Sequence, residues 1–459
     1  MRAQYIRWAC LLKTQLRRCL AGLLSISMLM QVTHAMDYTL QQAVQQAQLN
    51  DPWLQGSVHQ QMSQQALSVD AGSLPDPVVN IGLVNLPSDS FDFSEQNMTQ
   101  LKVGVSQIFP RGDTLLLKRD KLANMSAMHP LMRADRQAQV AVSVAHLWLE
   151  AFRYQQTILL IENDRNLFEY LVDVAESSYT SAAGRTRQQD LIRAQLELTQ
   201  LDDRLTLLKQ QRDENLAALG QWLDDLNVSL ASDDIDVDEL YPHLHKALHN
   251  DFSQDTLALT DILISHPLIL NIDQKIHVSD IDIRIAEQSY RPQWGLNASY
   301  AYRDETPAGE DRPDFLSLGI SFDVPLFTAH RQDKRVQSAK AEFQSTKTQR
   351  DLALRELKAA YQSSVVSYQR LKQRQALFES RLLLEMHQQA EASLTAYTHD
   401  DGDFAEAVRA RIAELNARIE VLNIDIDIYK TLAQLDYFHA GQRKQELMID
   451  DKSLIRITH

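Results

Sequence analysis

The sequence predicts a mainly α-helical chain with a β-barrel portion, built as two related halves, and three observations carry that prediction. A strand, a proline and a long helical segment follow one another twice. Leu101 to Asp113 reads LKVGVSQIFPRGD, Phe315 to Arg331 reads FLSLGISFDVPLFTAHR, and Pro110 aligns with Pro325. The helical segments place apolar residues alternately three and four positions apart, the seam of a coiled coil. Beyond the leader, no apolar run is long enough for a membrane helix, so any crossing of a bilayer must be made by strands.

Residues 1–35 carry Arg2, Arg7, Lys13, Arg17 and Arg18, then an apolar run from Cys19 to Met30 and Thr33-His34-Ala35. That is a secretory signal with a small-residue cleavage site, too short to span a bilayer as an anchor. Both cysteines, Cys10 and Cys19, lie in it. The expected mature chain therefore has no disulfide and no thiolate metal site. Neither cysteine follows the small-residue pattern that precedes a lipid anchor. The formal charge is −15, and removing the five leader cations makes the remainder more acidic still. Such a balance argues against nucleic acid and suits a soluble or cation-conducting surface.

Residues 36–226 form the first expected repeat. Tyr38 to Val69 is helical with a break at Asn50-Asp51-Pro52, and Leu74-Pro75-Asp76-Pro77 opens a strand from Val78 to Leu86 in which Val79, Ile81 and Leu83 share a face. Pro87 to Asn97 is a loop, and Leu101 to Phe109 is the returning strand. Arg111 to about Tyr179 is helical, with Pro130 its one exception. A turn at Ser181-Ala182-Ala183-Gly184 leads into a helix from about Thr186 to Trp222, seamed by Leu191, Ala194, Leu198, Leu201, Leu205 and Leu208. Residues 227–257, rich in aspartate, read as an acidic linker.

The second expected repeat, residues 258–440, restates that order. His266-Pro267 follows Asp51-Pro52 at the spacing that separates Pro110 from Pro325. Trp294 to Tyr302 is a strand, Asp304 to Pro313 a loop and Phe315 to Val324 the returning strand. In the latter Leu318, Ile320 and Phe322 alternate with Ser317, Gly319 and Ser321, the first set suited to lipid and the second to water. Arg331 to about Thr398 is the second long helix. A turn at His399 to Asp403 precedes a last helix seamed from Val408 to Ala433, and residues 441–459 are a tail.

In each half the short helix before the strands and the one after the turn match the long helix in length, so together they stack beside it as half of a tube wall. Four strands cannot close a barrel, and an open edge in lipid leaves backbone groups unpaired at several kcal/mol each. Three copies give twelve strands, so the chain is expected to be a homotrimer.

The chain resembles the TolC family of trimeric outer-membrane efflux channels over about residues 37 to 440. The resemblance rests on Leu40-Gln41-Gln42-Ala43 with Asn50-Asp51-Pro52, on Leu74-Pro75-Asp76-Pro77, on Gln107-Ile108-Phe109-Pro110 and Val324-Pro325-Leu326-Phe327, and on Tyr179, Gly184 and Asp190-Leu191-Ile192-Arg193-Ala194-Gln195. Leu435-Asp436-Tyr437-Phe438 resembles the branch serving heavy-metal efflux. The family implies a β-barrel in outer-membrane lipid continued as a periplasmic α-barrel, with a periplasmic adaptor and an inner-membrane pump as partners. The expected function is passive export, with heavy-metal cations favoured as cargo over drugs or other organic solutes. A secreted coiled-coil structural or adhesion protein is the alternative from another class. The helix turns lie farthest from the strands, so Ala183, Gly184, Arg185 and Gly402 are expected to meet the adaptor.

Catalysis has no motif here and no cofactor is expected. Met125, Met128, His129 and Met132 share a helical face; thioethers with imidazole suit Cu(I) or Ag(I), and the same spacing suits a packing stripe. His243, His245 and His249 read as metal ligands or as solvated linker residues. Asp400, Asp401 and Asp403 form an acidic turn that threefold symmetry would gather into a gate, although aspartate is common in turns.

Overall fold

The computed structural model describes residues 37–180, 188–224, 228–231, 241, 244, 256–399 and 403–442. Strand β1 (Asp37–Tyr38) leads into α1 (Leu40–Asn50) and α2 (Pro52–Ala71). The hairpin β2 (Val78–Val84) and β3 (Gln100–Phe109) follows, then α3 (Thr114–Thr180) and α4 (Gln188–Leu223). After β4 (Ser229–Leu230) come α5 (Thr256–Ile264), α6 (Pro267–Glu287), the hairpin β5 (Trp294–Tyr302) and β6 (Phe315–Phe322), α7 (Gln332–Leu377), α8 (Leu383–Thr398) and α9 (Phe404–Phe438).

Helix α3 is the spine. Its 67 residues span about 100 Å at about 1.5 Å per residue. Pro130 is accommodated inside it rather than ending it. Helices α1, α2, α4, α6 and α9 all pack along it, and α7 packs on α6 and α9. Two apolar cores run along this rod. The larger joins Val144, Trp148 and Leu149 of α3 to Ala43 and Ala47 of α1, Tyr361 of α7 and Ile426, Leu435 and Phe438 of α9. The smaller joins Ile161, Phe168 and Leu171 of α3 to Ala194, Leu201 and Leu205 of α4 and Val408, Leu415 and Ile419 of α9. The α4 seam read from the sequence is the face that packs here.

Local sequence explains where the helices start. Thr39 and Gln42 form a reciprocal capping box at α1. Asp51 then caps α2 by accepting from the Trp53 amide, with Pro52 in the first turn, and His266 Nδ1 caps α6 by accepting from the Leu268 amide, with Pro267 likewise placed. Asp51 also takes a 2.8 Å ion pair from Arg136, whose guanidinium lies 5.9 Å from the Trp53 ring and 5.4 Å from the Trp222 ring. That one arginine fastens α2 and α4 to α3.

Three features depart from the sequence reading. The second long helix is not continuous, because a π turn at Phe378–Leu382 separates α7 from α8; no such turn occurs in α3. Part of the stretch expected as a linker belongs to the body: Ser229–Leu230 pairs in parallel with Asp37–Tyr38, and Tyr241 and Leu244 are buried in the larger core. Both expected strand ends were also slightly long, β2 stopping at Val84 and β6 at Phe322.

The second sheet is antiparallel in the order β2-β3-β5-β6, so the two hairpins join through β3 and β5, and β2 and β6 are its edges. It has almost no core of its own, Ala301 being its one fully buried hydrophobic side chain among the described residues.

Candidate functional site: the two-faced sheet and the far end of the helices

The strand register sorts the side chains into two faces. Directly opposed residues share a face, and Asn80–Gly104–Ser299–Ser317 and Gly82–Lys102–Ala301–Phe315 run across all four strands on one of them. That face also carries Ser106, Asn297, Gly295, Gly319 and Ser321 and so is mostly small and polar, with Val78, Val84, Ile108 and Phe315 its apolar exceptions. The other carries Val79, Ile81 and Leu83, then Leu101, Val103 and Val105, then Trp294, Leu296, Tyr300 and Tyr302, then Leu316, Leu318, Ile320 and Phe322. All of these apolar residues are exposed on the single chain. The alternation read strand by strand therefore holds across the sheet, with Leu318, Ile320 and Phe322 on the apolar side and Ser317, Gly319 and Ser321 on the polar side.

At one end the hairpin loops are tied together. Arg303 donates to the Asn97 carbonyl at 2.7 Å and lies over Phe315, and Arg312 donates to the carbonyls of Ser94 and Gln96. At the other end the sheet turns into helices through an ionic corner that the sequence reading did not foresee. Arg111 pairs with Asp323 and donates to the Arg291 carbonyl at 2.7 Å, while the Gln293 amide donates to Asp323. Gly112 sits at φ +45, the left-handed region that favours glycine, and a Cβ there would meet the Gln288 and Arg291 side chains. Arg111 and Asp323 are too far apart in sequence for spacing to have paired them.

The far end of the helical body holds a second ionic group. Glu414 of α9, its side chain 5% exposed, accepts from Arg411 at 2.8 Å, Arg418 at 2.6 Å and His387 of α8 at 2.8 Å. Arg411 also pairs with Glu391, and Arg418 reaches Asp164 of α3 at 3.4 Å. Burial works to raise the Glu414 pKa, but the bonds from His387, Arg411 and Arg418 outweigh it and hold the carboxyl below the ordinary glutamate range. Sequence reasoning missed this cluster, although charges at Arg411, Glu414 and Arg418 recur three and four apart inside an apolar seam, which is the signal of a paired buried group.

The candidate metal face is a packing contact between α2 and α3. His129 is buried and its Nδ1 lies 3.3 Å from the Ser57 hydroxyl, while Met125, Met128 and Met132 are half-buried along the same helix. Burial first, and then the Arg133 charge, push the His129 pKa down. A guanidinium at this position opposes a second cation. Among the described residues no group of three His, Cys, Asp or Glu side chains could hold a metal ion. Of the acidic turn, Asp403 is described: it caps α9 by accepting from the Ala405 amide at 3.2 Å. Asp400, Asp401 and Gly402, the other turn's Ala183, Gly184 and Arg185, the linker histidines and the leader all lie outside the described residues. No described helix is long and apolar enough to cross a membrane.

Several solved channels share this architecture. The chain matches the outer-membrane channel OprN with a TM-score of 0.70 at 14% identity, covering 88% of this chain and 90% of that one. It matches CusC, solved in a study of folding and transmembrane channel formation, with a TM-score of 0.72 at 12% identity over 89% and 92%. The outer membrane protein VceC from the bacterial pathogen Vibrio cholerae matches with a TM-score of 0.67 at 15% identity over 87% and 96%. At these identities the likeness is one of fold. No family model matches the sequence, and neither does any curated protein.

Proposed function

We propose that the chain is one third of a TolC-type outer-membrane efflux duct, a homotrimer whose twelve strands close a barrel in lipid and whose helices continue the passage through the periplasm. The observation that carries this reading is the sheet: four strands, two unpaired edges, one exposed face apolar but for Gln107 and one mostly small and polar face, set at the end of a rod of about 100 Å. A secreted coiled-coil protein would have no use for an exposed face of that kind, which water penalises. The fold shared with OprN, CusC and VceC supports the same assignment.

In this reading the chain performs no chemistry. A periplasmic adaptor grips the far end through the turns expected at Ala183 to Arg185 and at Gly402, and an inner-membrane pump supplies energy and cargo. The resemblance of Leu435-Asp436-Tyr437-Phe438 to the heavy-metal branch favours metal cations as that cargo, and Asp400, Asp401 and Asp403 would draw them toward the axis. The two related halves, residues 36–226 and 258–440, then serve as alternating staves of one wall. Native mass spectrometry of the detergent-purified protein should give three chains, and planar bilayers should show discrete conductance steps. A monomer with intact β signal and no conductance overturns the proposal.

A further inference from the structure

Resting on that trimer, we infer the strand register and the side-chain contact by which one copy joins the next. Strand β6 pairs antiparallel with β2 of the neighbouring copy so that Leu318 faces Leu83, Gly319 faces Gly82, Ile320 faces Ile81 and Phe322 faces Val79, and Leu326 packs on Ile108 of that copy.

The two hairpins share one register position by position. In the first, Asn80 faces Gly104 and Val78 faces Ser106; in the second, Asn297 faces Gly319 and Gly295 faces Ser321. Aligning Pro110 with Pro325 puts Gly104 on Gly319 and Ser106 on Ser321, and the opposed asparagines then coincide as well. Each of these serines reaches the carbonyl across from it, Ser106 that of Val78 at 3.5 Å and Ser321 that of Gly295 at 3.4 Å. The join between the hairpins is also fixed: Gly104 of β3 faces Ser299 of β5. If the ring closes by repeating that join, β6 takes the place of β3 and the next copy's β2 takes the place of β5. Gly319 then faces Gly82, and Val79, Ile81 and Leu83 of one edge stay on the same face as Leu316, Leu318, Ile320 and Phe322 of the other. A slip of one residue would turn half of them into the lumen.

The same mapping predicts what happens at the corner. Within the chain Arg111 bridges to Asp323. Their equivalents between copies are Leu326 and Ile108. Both are hydrophobic and both stand bare on the single chain, at 74% and 46% exposure. Ile108 lies on the mostly small, polar face, beside Gly295. Its apolar side chain there has an explanation if it meets Leu326: the ion pair inside each chain is exchanged for an apolar contact between chains.

Both cysteines fall in the expected leader, so introduced cysteines can be read without background. Opposed pairs on antiparallel strands alternate between hydrogen-bonded and free, and disulfides form at the closer kind, so two consecutive pairs cover both. We expect oxidation of I81C/I320C or N80C/S321C to lock the membrane-embedded protein into a covalent trimer. The shifted pairs L83C/I320C and G82C/S321C should not cross-link. Trimers locked only by the shifted pairs, or by none of the four, overturn the register while leaving the duct intact. A native mass of one chain for the unmodified protein overturns both. For the corner, I108D should lose most of its trimer and L326R/I108D should regain it by rebuilding the ion pair; a double variant no better than I108D overturns the contact.

Discussion

Three imidazoles, two buried and one half-buried, give the helical rod a defined acid response. His129, His146 and His266 are each held below the ordinary histidine range, burial being the largest cause in every case. Arg133 adds to the effect at His129, while at His266 the charge of Asp135 and the Tyr437 carbonyl work against it. A base that is harder to protonate when folded stabilises the fold fully above its unfolded pKa of about 6.5, and that contribution is lost as the pH falls below it. The thermal midpoint should therefore drop between pH 7.5 and 5.5, and His129→Gln should flatten the drop; an unchanged slope would remove His129 from the account. Glu414 makes a second residue-level prediction. Glu414→Leu removes one of the two carboxylates that pair Arg411, whose side chain is 7% exposed, and leaves it Glu391 alone; the loss should cost about 1–3 kcal/mol in denaturant unfolding. Adding Arg411→Met should recover most of it, because two apolar groups no longer need a charge partner.

Among the elements, the strands make the sharpest test of the two faces. Ile320→Arg places a cation on the apolar side and should cost about 2–4 kcal/mol of assembly stability near a bilayer midplane, whereas Ser321→Arg, one residue on, should cost far less. Heat-stable trimer on a gel reads the difference, and equal defects would mean the faces are misassigned. The elements were also the most legible part of the sequence. Alternation in β6, the paired prolines and the seam of α4 are periodic signals, and the structure follows them closely. What stayed hidden was non-periodic. The π turn depends on one extra residue that no spacing rule marks, and the burial of Tyr241 and Leu244 depends on tertiary contacts that their acidic surroundings conceal. The ionic corner at Arg111 and Asp323 joins residues that only the completed fold brings together.

For the whole molecule, the proposed duct would have one wide end in lipid and, at its far end, the acidic turns expected of its three copies. Nine carboxylates near one axis attract cations and resist ionising together. Replacing Asp400, Asp401 and Asp403 by Asn keeps the cap that position 403 supplies to α9, since asparagine caps nearly as well. Single-channel recordings should then show reduced cation selectivity and weaker block by a trivalent cation; wild-type values for both would assign these acids to the solvated outside. Cysteine at Ala183 should cross-link to the adaptor in cells and stay unlabelled by reagents added outside them, and labelling from outside would reverse the topology. The π turn between α7 and α8 bears on this far end. It adds a residue without the usual advance, turning the helix surface beyond it by on the order of 100° relative to an unbroken helix. Helix α3 has no such turn. Close to the sheet, the two halves of three copies in the proposed trimer would be six similar staves. Past the π turn they become two kinds in alternation, so sixfold likeness decays to true threefold order along the length of the tube, and whatever grips its tip finds two shapes of socket.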